Sequence, residues 1–187
     1  MASPNQSVVQ DSRPSSSDKP QSSTDVLHSS ALKRLQQEVV IISTYDNDGI
    51  TAIPDEDNLF HWSATIQGPV GTVYEGSEYN LSLQFSTRYP VEPPRVGFET
   101  PCFHPNIGDQ GNICVDILNE IWTALLNVRT LLLSIQTLLA WPNVSSPLNG
   151  YAADLWRDQE RYRRARESFE AYHKRRTTPP RLEDNGT

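Results

Sequence analysis

Alternating hydrophobicity in the middle of the chain is the feature that most restricts what it can fold into. Apolar and polar residues alternate from Phe60 to Ile66 and from Tyr79 to Phe85, and a short apolar segment follows from Val96 to Phe98. A period of two is typical of strands with one buried face. Turn residues separate these segments, including Gly68-Pro69 and Glu75-Gly76. Successive strands joined by short turns predict an antiparallel meander.

Helical spacing occurs on both sides of these strands. Leu32, Leu35, Val39 and Ile42 recur at intervals of three and four, which predicts an amphipathic helix opening at the N-cap residues Ser29 and Ser30. A strongly apolar segment, Val128 to Leu139, predicts a helix that crosses the sheet and is buried on nearly all sides. Further helical segments follow at 151–156 and 160–176. Strands followed by helices predict an α+β domain.

The chain ends are polar. Residues 1–29 are rich in Ser, Gln, Asp and Pro, and we expect them to be disordered because they bury too little apolar surface to offset their ordering entropy. We expect a flexible tail at 177–187. The remaining stretch, 30–176, suits one domain in a chain of 187 residues.

Composition excludes several classes of function. A net charge of −7 and an isoelectric point near 5.0 argue against nucleic-acid binding. No apolar run is long enough to span a membrane, and no apolar leader is present. Two cysteines without a CxxC pair argue against zinc, and we expect no metal or cofactor. The expected protein is a soluble monomer of the cytoplasm, the nucleus or both.

A long stretch without clear periodicity, from Thr100 to Leu126, contains the candidate catalytic residues. Cys114 is either a small buried hydrophobe, as most free cysteines are, or a nucleophile presented by the polar turn before it. The amide of Asn106 could donate to an oxyanion, and Pro105 restricts the backbone beside it. His104 could be a general base, but next to a proline its ring is better suited to fixing the turn. Cys102 lacks such a setting, which favours a structural thiol.

These motifs resemble those of ubiquitin-conjugating enzymes. The similarity extends from about Ser30 to His173 and rests on Tyr89-Pro90-x-x-Pro93-Pro94, His104-Pro105-Asn106, Gly111-Asn112-Ile113-Cys114, Trp122, Pro142-Asn143 and Pro147-Leu148. It implies the ubiquitin-conjugating fold: an N-terminal helix, a four-stranded antiparallel meander, a long active-site loop, a central buried helix and two C-terminal helices. It also implies that Cys114 carries ubiquitin as a thioester, with Asn106 stabilising the oxyanion, structuring the loop, or both.

Within the family, the chain is most similar to the conjugating enzymes of the anaphase-promoting complex. This similarity rests on Lys33 to Glu38, Asp57 to Phe60, Pro101 to His104, Val128 to Leu132, Ser145 to Asn149 and the N-terminal extension. It implies cell-cycle ubiquitination, with ubiquitin, the activating enzyme, a RING-type ligase and protein substrates as partners.

The resemblance also assigns positions around the site. Ser146 occupies a gate position where many relatives have an aspartate. Lys33 and Arg34 fall where relatives meet the activating enzyme, and Val91 and Ala124 fall on the two loops that relatives offer to ligases. Val91 replaces an aromatic residue, Asn119 and Ile121 stand where lysines are common, and Ala140-Trp141 replaces a Gly-Glu pair. These differences concern the choice of partner.

Three alternatives remain at this point. The same fold could conjugate a different ubiquitin-like modifier. A cysteine hydrolase could use Cys114 with His104, and a non-enzymatic interaction module is a third possibility, which the joint presence of Cys114 and Asn106 disfavours.

Overall fold

A computed structural model describes residues 23–45, 49–114, 118–120 and 122–177. It contains helix α1 (Ser23–Thr44), strands β1 (Ile50–Pro54), β2 (His61–Gln67), β3 (Glu78–Gln84) and β4 (Arg95–Phe98), and helices α2 (Val128–Ala140), α3 (Gly150–Leu155) and α4 (Gln159–Thr177). The strands form one antiparallel sheet in the order β1-β2-β3-β4, so the predicted meander is confirmed.

One face of the sheet forms the main core. Trp62 pairs with Leu83 and Ala64 pairs with Leu81 across β2 and β3, and Leu81 in turn pairs with Phe98. All five side chains are buried. Cross-strand neighbours on one face pack directly against each other, so the alternation in the sequence becomes continuous apolar rows.

Helix α2 covers the sheet as predicted and contacts β1, β2 and α1. Its buried residues are Val128, Leu131, Leu132, Ile135 and Leu139. Burial is less complete than predicted, because the other residues of the helix are only partly buried and Thr137 is exposed. The helix begins with a capping box, in which Asn127 accepts a hydrogen bond from the backbone of Thr130 and the Thr130 hydroxyl accepts one in return. Such a cap satisfies two N–H groups that otherwise lack partners at a helix start.

The predicted start of α1 is wrong. The helix begins at Ser23, so residues 23–29, which the sequence assigned to a disordered extension, are helical. Residues 23–30 are all exposed, and the first buried residue is Ala31. Helical turns that extend past the core need no apolar stripe, and hydrophobic spacing therefore could not reveal them. The predicted disorder of residues 1–22 and 178–187 lies outside the described residues.

The alternation of apolar and polar residues in the sequence did not predict strand β1. Its inward residue, Ala52, is buried, but the apolar side chain of Ile53 points outward and is exposed. The alternation is therefore weak in this edge strand. Within the described ranges, no helix combines the length and the apolar character needed to cross a bilayer.

Candidate active site

The His104 side chain fixes the turn that opens the long loop. Its Nδ1 accepts a hydrogen bond from the Asn106 backbone at 3.0 Å, and its Nε2 donates to the carbonyl of Leu138 in α2, also at 3.0 Å. Burial lowers the pKa of His104 to about 3, since an imidazolium would lose its hydration there. Both ring nitrogens are thus engaged in a neutral, fully buried side chain. These contacts agree with the interpretation that His104 supports the turn.

The carbonyl before this turn is anchored to two other parts of the fold. Phe103 O accepts hydrogen bonds from Tyr74 Oη at 2.9 Å and from Tyr162 Oη of α4 at 2.8 Å. Burial raises the pKa of both hydroxyls above its ordinary value, so both remain protonated donors. The beginning of the loop is therefore held by α2 on one side and α4 on the other.

The Asn106 side chain joins this turn to the segment 143–149. Its Nδ2 donates to Asn143 O at 2.7 Å and approaches Ser146 O at 3.5 Å, while its Oδ1 accepts from Asn143 N at 2.8 Å. The carbonyl of Pro105 accepts from the backbone N–H groups of Leu148 and Asn149. Asn106 is fully buried. These contacts tie the turn at Asn106 to the segment 143–149. Donation to an oxyanion would need the N–H that faces Ser146.

Gly111 closes the loop against β4. Its carbonyl accepts from Phe98 N at 2.8 Å, and its φ is +78°. A Cβ at this position would lie 1.9 Å from the carbonyl oxygen of Phe98, closer than any side chain allows. Ile107 and Ile113, which pair across the loop, are both buried. The glycine in the Gly-Asn-Ile-Cys motif is therefore required by packing and by backbone conformation.

The two cysteines differ in accessibility. Cys102 is buried, and burial raises the pKa of its thiol well above the usual range, so it stays protonated. Cys114 is only partly buried. Its N–H points to Asn106 O at 3.4 Å, and its carbonyl accepts from Leu118 N at 3.2 Å. Cys114 is thus the reachable thiol, at the end of a loop whose preceding residues are rigidly held.

This arrangement suits acyl transfer through a thiol. A cysteine hydrolase would need a histidine that can take a proton near neutral pH, and neither ring nitrogen of His104 is available for that. Among the described residues, no group of three acidic, histidine or cysteine side chains is placed to hold a metal ion.

The gate position and its surroundings are exposed. Ser146 lies on the surface with its backbone carbonyl near Asn106, and Trp141, at the C-cap of α2, is also exposed. No charged residue occurs from Trp141 to Leu148. The segment therefore presents an uncharged surface. Of the two positions where relatives commonly have lysines, Asn119 is exposed, and Ile121 is outside the described residues.

The predicted partner-binding residues differ in their exposure and contacts. Lys33 is exposed, and so are Val91 and Ala124, with Val91 72% exposed. The guanidinium of Arg34 is directed inward, donating to the carbonyls of Ala124 and Leu126. Arg34 therefore has an internal role in addition to any contact with a partner.

Sequence reasoning missed two residues in this region. Leu125 is 93% exposed beside Ala124, and Glu38 is 1% exposed within α1. The signal for Glu38 was its position, because it lies three residues after the buried Leu35 and four before Ile42, on the apolar side of the helix. A charged residue on that side requires buried partners.

Known proteins match most of the chain. Residues 34–170 match the family model described as "Ubiquitin-conjugating enzyme". The "Ubiquitin-conjugating enzyme E2-20 kDa" of Schizosaccharomyces pombe is 47% identical over 137 residues, which cover 72% of this chain and 78% of that protein. A crystal structure of a ubiquitin conjugating enzyme from Plasmodium yoelii superposes with a TM-score of 0.67 at 35% identity, covering 80% of this chain and 97% of that one.

Proposed function

The chain belongs to the ubiquitin-conjugating enzyme family, and from this premise we propose that Cys114 is the residue that carries ubiquitin. The enzyme is a transferase whose family works with ubiquitin, an activating enzyme and a ligase. The observation that carries the assignment is the contrast between the two cysteines: Cys114 is reachable, whereas Cys102 is buried with a raised pKa. The nucleophilic form of a cysteine is the thiolate, not the thiol.

The reaction consists of two acyl transfers. The Cys114 thiolate attacks the thioester carbonyl that joins the C-terminal glycine of ubiquitin to the activating enzyme, and the thiolate of that enzyme leaves. A lysine amine of the substrate then attacks the new thioester, the Cys114 thiolate leaves, and the ammonium of the adduct loses its proton to solvent. Exchange of one thioester for another is nearly balanced in energy, so docking and alignment dominate the first step.

Asn106 and Ser146 would contribute to the second step. Asn106 holds the segment 143–149 through its side chain, and its carbonyl faces the N–H of Cys114. Its second N–H would stabilise the oxyanion after leaving the carbonyl of Ser146. Ser146 lacks a charge, so it would orient an incoming lysine by hydrogen bonding and contact alone. His104 and Pro105 support the loop without taking part in proton transfer.

Partners would use the exposed residues described above. Lys33, with the adjoining surface of α1, would contact the activating enzyme. Val91, Ala124 and Leu125, named here the ligase face, would contact a RING-type ligase, and their exposure supports this. The motif similarities support the anaphase-promoting complex as that ligase, with cell-cycle proteins as substrates. We further propose a monomeric enzyme of the cytoplasm, the nucleus or both.

A charging assay tests the proposal. The protein is incubated with activating enzyme, ATP and ubiquitin, and the products are separated with and without a thiol reductant. We expect an adduct that reductant removes. Cys114→Ser should give a reductant-resistant oxyester, because a serine oxygen replaces the sulfur. Cys102→Ser is the matched control and should charge like the wild type. A reductant-sensitive adduct on the Cys114→Ser variant would contradict the assignment.

The same assay separates the finer alternatives. We expect no adduct when ubiquitin and its activating enzyme are replaced by another ubiquitin-like modifier and its own activating enzyme. If one of these modifiers gave a stronger adduct than ubiquitin, that modifier would be the cargo. With charged protein, the anaphase-promoting complex should accelerate transfer to lysine more than unrelated RING ligases do. Equal acceleration by all of them would refute the subfamily assignment.

A further inference from the structure

Glu38 is a buried carboxylate that contacts three separate segments. Its Oε1 accepts from Tyr89 Oη at 2.5 Å and from Arg34 Nε at 2.7 Å, and its Oε2 accepts from the backbone N–H of Val128 at 2.6 Å. Tyr89 lies in the loop between β3 and β4, Arg34 lies one turn earlier in α1, and Val128 is the first residue of α2. One side chain thereby connects elements that are far apart in sequence.

These contacts lead to both loops of the ligase face. Tyr89 is two residues before Val91. On the other loop, Arg34 Nη1 donates to Ala124 O at 3.2 Å and Arg34 Nη2 donates to Leu126 O at 2.5 Å, on either side of Leu125. The carboxylate orients the guanidinium through Nε, and the guanidinium holds the loop through its other two nitrogens.

A third contact joins the two loops directly. Trp122 Nε1 donates to the carbonyl of Pro90 at 3.0 Å, and its ring lies 5.6 Å from that of Tyr89. Val91 and Leu125 are the exposed apolar ends of a unit whose polar interior is Glu38, Arg34, Tyr89 and Trp122. Nothing in the thioester chemistry at Cys114 uses this polar interior.

The charge of Glu38 suits this position and a neutral residue would not. Burial of a carboxylate is costly unless hydrogen bonds and an opposite charge compensate for it. Here the compensation comes from a guanidinium, a phenol and the positive end of the α2 dipole at Val128. Glutamine has the same shape but one acceptor oxygen. Its NH2 would face either the Val128 N–H or both the Tyr89 hydroxyl and the Arg34 Nε–H.

We propose that Glu38 is a positioning residue for ligase docking, which fixes the relative placement of Val91 and Leu125 without touching the ligase. The inference rests on the proposed function, since it assumes that these loops meet a RING-type ligase. Without Glu38, only a fraction of molecules would present both loops correctly. The apparent affinity for the ligase equals the intrinsic affinity multiplied by that fraction, and we expect the apparent affinity to fall roughly tenfold.

The test measures discharge of ubiquitin from purified, already charged protein to free lysine, over a range of concentrations of a RING-domain ligase that accelerates the wild type. Because the protein is already charged, a displaced Arg34 that weakened contact with the activating enzyme would not affect the measured rate. In Glu38→Gln, the ligase concentration for half-maximal rate should rise about tenfold, while the rate at saturating ligase and the rate without ligase stay at wild-type values.

Two further variants keep the experiment decisive. Tyr89→Phe removes only the hydroxyl donor and should raise the half-maximal ligase concentration about threefold, even if Glu38→Gln fails to fold. Glu160→Gln, the matched control, removes an exposed carboxylate that pairs with Arg164 at the same helical spacing, and should behave like the wild type.

The outcomes separate the inference from its premise. If no RING ligase accelerates discharge from the wild type, the proposed ligase face is wrong, and so is the proposed role of Glu38. If the wild type responds but Glu38→Gln and Tyr89→Phe lose only thermal stability, with unchanged half-maximal concentrations, Glu38 is an ordinary core residue and the inference is overturned.

Discussion

Acid sensitivity provides a quantitative test of the loop that presents Cys114. His104 is buried and neutral, with a pKa of about 3 against an ordinary value of 6.5. As pH falls below 6.5 the unfolded chain binds a proton at this residue, and the folded chain does not until about pH 3. The contribution of His104 to stability is therefore complete above 6.5 and is lost progressively between 6.5 and 3.

The size of this effect follows from the two pKa values. Within that window, the free energy of unfolding falls by up to about 1.4 kcal/mol for each pH unit, which amounts to about 2 kcal/mol between pH 7 and pH 5. His104→Gln has no titrating ring but keeps a donor and an acceptor. The loss between pH 7 and pH 5 should therefore be about 2 kcal/mol smaller in the variant than in the wild type.

Urea unfolding at pH 7, 6 and 5 measures the difference. The comparison concerns the slopes against pH, because His104→Gln also lowers stability at every pH by disturbing the contacts to Asn106 and Leu138. Carboxylates titrate in both proteins and cancel in the difference. Parallel slopes would show that His104 takes up protons equally in the folded and unfolded chains, and the account of a neutral, buried anchor would then be wrong.

Two further predictions concern the same loop. Gly111→Ala places a Cβ 1.9 Å from a carbonyl oxygen and should unfold the loop or the protein. Gly76→Ala has the same φ of +78° but lies in open space, and it should lower the free energy of unfolding, measured by chemical denaturation, by about 1–2 kcal/mol. Equal losses in the two variants would refute the packing argument. Asn106→Ala should charge nearly normally, lose about 2 kcal/mol of stability, and discharge to lysine about 100- to 1,000-fold more slowly; wild-type discharge would exclude the oxyanion role.

The sequence predicted the elements whose burial is regular. Strands β2, β3 and β4 and helices α2, α3 and α4 lie within one residue of their predicted bounds, because one apolar face of each packs on the core. Prediction failed where that condition fails. Residues 23–30 at the start of α1 are all exposed, and β1 is an edge strand with Ile53 facing outward.

At the site, the residues could be predicted but not their contacts. Cys114, Asn106 and His104 are recognisable from motifs, and the structural role of His104 follows from the proline beside it. The link from Asn106 to Asn143 joins residues 37 apart in the chain, and that from Glu38 to Val128 joins residues 90 apart. Hydrophobic spacing carries no information about such pairs, which depend on how the elements pack.

Mapping the acyl group to one sulfur tests the central claim most directly. The protein, uncharged or charged with ubiquitin, is treated briefly with iodoacetamide under native conditions, and peptides containing Cys114 and Cys102 are quantified by mass spectrometry. We predict that Cys114 is alkylated in the uncharged protein, protected in the charged protein, and alkylated again after discharge to lysine, while the buried Cys102 stays unmodified throughout. Alkylation of Cys114 at the same rate with and without bound ubiquitin would contradict the account.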